Sequence, residues 1–168
     1  LAARRGVVAV TGNHEFYDGI ARFTALARRL GFTLLRNRSL VLADGLQVIG
    51  VDDLVGGLYA AGGEDLDLAL QGTRRDLPRI LLCHSPRRFR RAARRGVTLQ
   101  ISGHTHGGQL IPFSLLTRLS CRYWLGWRKY GNAAIYTSSG AGLGAIPLRL
   151  GSTGEIVRFT LVASPPAT

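Results

Sequence analysis

Four histidines are the residues of this 168-residue chain best suited to chemistry, and each stands just past a run that reads as a strand. His14 follows GVVAVTGN, His84 follows RILLC, and His104 and His106 follow VTLQISG. In open α/β sheets ligands collect at the carboxyl ends of strands, and histidines scattered at random would not select only such positions. The stretch SGHTHGGQ, residues 102–109, sets two imidazoles one residue apart among glycines. In extended chain, residues i and i+2 project to one side, about 6.6 Å apart. Ions in a two-metal hydrolytic centre stand about 3.5–4 Å apart, so His104 and His106 could each serve a different ion. Gly103, Gly107 and Gly108 would let backbone and substrate approach closely. Imidazole mixed with amide or carboxylate oxygen suits manganese, iron or zinc better than calcium.

The elements that must position these side chains alternate between strand and helix patterns, which argues for a layered α/β domain. Residues 6–10 (GVVAV) form a continuous apolar run, expected as a buried strand. Residues 18–31 predict a helix with Ile20, Phe23, Leu26 and Leu30 inward, Asp18 as its cap and Gly31 as its stop. Residues 39–51 read as a hairpin around Asp44-Gly45, 56–63 as a flexible loop and 64–71 as a short helix. Residues 79–84 are the next buried strand. Ser85 and Pro86 open a helix that ends at Gly96, with Phe89, Ala92 and Ala93 inward. Strands are expected at 97–102, 133–139 and 155–162.

Composition narrows the partners. The net charge is +12, carried almost wholly by arginine because Lys129 is the single lysine. Such a charge suits phosphate-bearing substrates, anionic head groups or nucleic acid. Nucleic acid is the weakest of these, since neither zinc-finger spacing nor an aromatic RNA-binding signature occurs. The arginines of 87–95 read as a solvated basic face, with head-group docking as the alternative. Residues 112–131 carry aromatics and leucines among arginines. They read either as a packed excursion over the sheet edge or as a greasy, basic rim meeting lipid. Two cysteines, Cys83 and Cys121, make no disulfide framework. The chain opens at Leu1 in mid-fold and lacks methionine, so a longer parent is expected.

GNHE (12–15), LLCHSP (81–86) and SGHTHGGQ resemble the later motifs of the calcineurin-like metallophosphoesterases, in that family's order and with compatible spacing. IYTSSGAGLGAIPLRL and GEIVRFTL further resemble a bacterial, often membrane-anchored subgroup that hydrolyses phosphodiesters or pyrophosphate bonds. The resemblance implies a single truncated domain over residues 1–168: an α/β sandwich of two mixed β-sheets flanked by helices, its first strands missing. It implies two divalent metal ions (manganese, iron or zinc), with Asn13, His84 and His104 as ligands of one and His106 as a ligand of the other. It makes His14 the catalytic group that contacts the phosphoryl group and protonates the leaving oxygen. Activated hydroxide would attack phosphorus in line. Substrates would be phosphate esters or pyrophosphates, lipid-linked ones and a membrane surface included. Membrane association would come through a segment upstream of Leu1, with a soluble cytoplasmic protein as the alternative.

The family's D-x-H and G-D-x-x-D motifs, which supply the bridging carboxylate, do not occur in the chain. Asp52 and Asp53 are not expected to replace them. An incomplete, nearly inactive fragment is therefore expected, and the rival is an inactive basic scaffold that binds membrane or anionic ligands. Plainer roles compete at each position: histidines that cap strands, a core histidine at 84, and a turn-forming Asn13.

Overall fold

Four parallel crossovers and two hairpins generate the architecture of the computed structural model, which describes residues 3–59, 62–144 and 146–162. The elements run β1 (Val7–Ala9), α1 (Asn13–Tyr17), α2 (Ile20–Arg29), β2 (Phe32–Leu34), β3 (Arg38–Val41), β4 (Gln47–Gly50), α3 (Leu66–Ala69) and β5 (Arg79–Leu82). They continue as α4 (Phe89–Arg94), β6 (Leu99–Ser102), α5 (Phe113–Ser120), β7 (Gly126–Tyr130) and β8 (Ala133–Thr137). Six strands form a mixed sheet in the order β3-β4-β5-β6-β8-β7, with the four inner strands parallel and both edges antiparallel. The second sheet is the parallel pair β1-β2, and is thus not mixed among the described residues.

Burial explains the order. β5 (RILL) is buried along most of its length, as in central parallel strands. Ile49, Val51, Leu66, Leu81, Ala92 and Val97 fuse β4, β5, α3 and α4 into one core. Phe89 and Ile135, both fully buried, centre a second core under β8. The sheets meet at Gly50. A Cβ there would lie 2.3 Å from Leu35 Cβ and 2.8 Å from Val10 Cγ1, so only glycine allows this approach. Gly50→Ala is expected to destabilise the fold by about 1–3 kcal/mol through overpacking. A urea midpoint unchanged from the parent would contradict that contact.

Several expectations need correction. Asp18 does not cap α2; it closes α1, its N–H donating to His14 O, while Gly19 with φ +100° precedes α2. Leu26 and Leu30 are exposed, since only Ala27 of α2 is buried. Residues 54–59 form a 3-10 turn, not a flexible loop: Gly56 is buried, and a Cβ there would strike Gly62 O at 2.0 Å. Ala60 and Ala61 lie outside the described residues. The helix after His84 opens as a 3-10 turn, Pro86–Arg88, before α4. Residues 155–162 keep strand-like alternation, with Val157 and Phe159 half-buried, but join no ladder among the described residues. Alternation can be read locally, whereas a ladder needs a partner edge. Phe159 packs edge-on against Tyr136 of β8 instead.

The basic helix is tied down. Arg91 and Arg95 reach Asp67 at 3.1 and 2.9 Å, and Arg88 reaches Glu64 at 3.5 Å. Arg90 donates to Tyr123 Oη at 3.1 Å and lies over the Tyr130 ring. Internal pairing therefore accounts for most of this face.

Candidate metal centre

Parallel pairing sets the site. β5 and β6 are neighbours in register Ile80↔Leu99, and the Gly103 N–H donates to His84 O just past their ends. His84 and His104 are thereby placed side by side. The turn after β1, in the other sheet, presents Asn13 at the start of α1. Glu15 fixes that turn by accepting the Gly12 N–H at 2.6 Å, so its role is structural.

Three donor atoms meet in a small triangle. Asn13 Oδ1 lies 3.0 Å from His84 Nε2 and 3.2 Å from His104 Nδ1, and the two ring nitrogens are 3.1 Å apart. Protons alone leave one edge of this triangle repulsive, because when a single ring N–H donates to the other ring nitrogen or to Oδ1, two lone pairs still face each other. An amide oxygen carries none and each ring nitrogen at most one, so if both imidazoles donate to Oδ1 the two N–H groups confront each other. With the protons on the far ring nitrogens, all three lone pairs point inward, an arrangement that suits a cation. Edges near 3 Å are those of adjacent donors around one ion with bonds of about 2.1 Å. Among the described residues no three His, Cys, Asp or Glu side chains gather as a metal-holding group; the convergent set is two imidazoles and one amide oxygen.

Electrostatics favour neutral, ligand-competent rings. Burial, then the neighbouring His104, pushes His84 down to about 4. Burial foremost also lowers His104 and His106. His14 and His106 do not join the triangle, but the charges of both are felt at His84. His14 is exposed and its ring meets Tyr17 edge-on at 5.5 Å. Folding thus lowers proton affinity at His84. The unfolded ring binds its proton near pH 6.5 and the folded ring near pH 4, so stability present above the first value is lost on descent to the second. The full difference corresponds to about 3 kcal/mol. Metal-free protein is expected to lose stability between about pH 7 and pH 4.5, and His84→Gln to flatten that loss. Parallel urea midpoints in the two proteins would refute the assignment.

Close approach explains the glycines. A Cβ at Gly12 would stand 3.0 Å from three atoms of the His84 ring, so the ring lies flat on a bare backbone. His104, His106 and Gln109 have φ of +69°, +51° and +48°, a left-handed conformation that costs non-glycine residues and gathers at functional sites. Residues to which the sequence alone assigns no role hold this loop. Arg149 donates to the carbonyls of His106, Ser139 and Gly140, at 3.2, 2.9 and 3.0 Å. Gln109 donates to Ile146 O and accepts the Gly144 N–H, both at 2.6 Å. His106 Nδ1 is buried and unpartnered among the described residues.

Asp52 is buried and doubly bound by Arg36, with Thr11 as a further donor at 3.0 Å, in line with its exclusion as a ligand. Asp53 differs from it. One oxygen accepts the Val55 N–H, while Oδ2 is buried without a partner among the described residues, and its charge is felt at His84 and His104.

The sequence profile described as "Calcineurin-like phosphoesterase" matches residues 1–108, a span that contains every one of these donors. The chain belongs to that family. Its large mixed sheet with flanking helices fits the family's architecture. A Helicobacter pylori protein named "Uncharacterized metallophosphoesterase" is 38% identical over 164 residues, covering 96% of this chain and 44% of that protein. A Bos taurus "Transmembrane protein with metallophosphoesterase domain" is 35% identical over 180 residues, 98% of this chain and 40% of the relative. A Bacillus subtilis metallophosphoesterase is 35% identical over 170 residues, 96% and 58% respectively. The chain thus spans less than half the length of the first of these relatives. No solved structure matches it. Membership implies divalent metal ions and does not favour the inactive-scaffold alternative.

Proposed function

We propose that this chain carries the histidine-rich side of a dinuclear metal centre that hydrolyses phosphate esters, phosphodiesters or pyrophosphates. The observation that carries the reading is the triangle of Asn13 Oδ1, His84 Nε2 and His104 Nδ1 at 3.0–3.2 Å. These three atoms would hold one ion and His106 would help to hold the second. When bound, the ions supply activation of water at neutral pH and neutralisation of phosphoryl charge. The remaining steps belong to side chains of the chain. His14, exposed beside the triangle, meets the phosphoryl group and delivers a proton to the departing oxygen. Gly12 keeps the His84 ring in place, and Arg149 with Gln109 keeps the strained 104–109 loop closed.

The four donors need carboxylate partners, and D-x-H and G-D-x-x-D are absent from the 168 residues. Turnover is therefore expected from the full-length gene product and close to none from residues 1–168 alone. The deciding assay supplies manganese to the full-length protein with a panel of monoesters, diesters and pyrophosphates, with and without chelator. Chelator-sensitive hydrolysis of at least one substrate supports the reading, and turnover indifferent to chelation contradicts it.

A membrane setting belongs to the same proposal. The name of the bovine relative places that protein in a membrane, and no helix among the described residues here is long and apolar enough to cross one. We extend to this chain a working position at a membrane surface.

A further inference from the structure

α5 is inside out. Its small polar residues, Ser114 and Thr117, are the half-buried ones, while Leu115, Leu116 and Leu119 are 57%, 59% and 77% exposed. No residue of the helix is buried. A helix with one apolar stripe normally turns that stripe to the core. This one turns it to the surroundings and rests its polar side on the 104–109 loop. A Cβ at Gly108 would lie 2.3 Å from Ser114 Cα, so α5 starts directly on the loop that carries His106. The apolar surface continues beyond the helix. Ile111 N–H donates to Leu150 O at 3.0 Å, and Ile111 and Leu150 are themselves largely exposed.

Charge selects the occupant. Arg118 lies in the last turn of α5 and Arg122 just beyond it, both exposed. Between Asp76 and Glu155 the sequence holds no acidic residue at all. A second copy docked about a two-fold axis would set these arginines against their own images. An anionic bilayer instead accepts leucines into its headgroup boundary and neutralises the arginines.

We propose that the Leu115–Leu116–Leu119 face of α5, with Arg118 and Arg122, is a peripheral docking surface for anionic lipid bilayers. It sets the His106 loop at the headgroup level, so the substrate class is an amphiphile whose phosphoester lies at the interface. The substrate part rests on the phosphoesterase reading above; the docking part does not.

The test uses Leu119→Cys carrying a polarity-sensitive dye, with an equivalent label at Arg28→Cys on α2 as control. Cys83 and Cys121 are buried, which leaves the introduced thiol as the reactive one. Vesicles with about 30% phosphatidylglycerol are expected to blue-shift the dye at 119 but not at 28, and pure phosphatidylcholine to do neither. Arg118→Gln with Arg122→Gln is expected to weaken vesicle binding roughly 30-fold, about fivefold for each cation. Turnover of a soluble diester by the full-length protein should be unchanged in that variant. No shift with anionic vesicles, a shift that grows with protein concentration without lipid, or equal shifts at both labels would overturn the docking. A shift without turnover of any soluble monoester, diester or pyrophosphate would retain the docking and remove the phosphoesterase reading.

Discussion

His84→Ala in the full-length protein is expected to abolish the tightest metal binding and to lower turnover by well over 100-fold. The size follows from position. Residues that only orient a metal ligand typically cost about 10–100-fold on replacement, whereas His84 supplies one of three convergent donors, 3.0 and 3.1 Å from the other two. Metal content by elemental analysis and turnover should fall together. Gly12→Ala provides a control that leaves every donor in the chain. Its Cβ would meet the His84 ring at 3.0 Å, tilting the imidazole, and misplacement of about 1 Å can cost about 100-fold. A Gly12→Ala protein with normal metal affinity and turnover would show that the ring is not held as described.

The second large effect is expected at His14. As proton donor to the leaving oxygen it should contribute roughly 10²–10⁴-fold, most of it on substrates whose leaving groups are poor. His14→Ala should therefore depress hydrolysis of alkyl esters far more than that of nitrophenyl esters, while metal content stays intact because His14 lies outside the triangle. Equal losses on both substrate types would remove the proton-donor role. Lost metal would instead make His14 a ligand.

The placement of His84 and His104 at neighbouring strand ends was legible because a strand end leaves a local trace: an apolar run, a turn and a polar side chain. The Asp44-Gly45 hairpin was legible for the same reason, with the Leu42 N–H donating to Leu46 O across it. What the sequence does not show depends on remote neighbours. Leu26 and Leu30 fit a helical stripe, yet both stay about half exposed. Residues 155–162 alternate like a strand and find no ladder. Gly12 looks like an ordinary turn glycine until the His84 ring, 72 positions later, is seen against it. Arg149 bonds only carbonyls and a hydroxyl, partners with no sequence signature. The leucines of α5 read as apolar from sequence alone, but their outward orientation follows only from Ser114 seated on Gly108.

One measurement bears directly on the convergence of donors: an anomalous difference map from a crystal of the protein soaked in manganese. The expected result is a peak about 2.0–2.3 Å from Asn13 Oδ1, His84 Nε2 and His104 Nδ1 together. A map without density there, or imidazoles turned to separate faces of the sheet, would contradict the metal centre and the hydrolysis built on it.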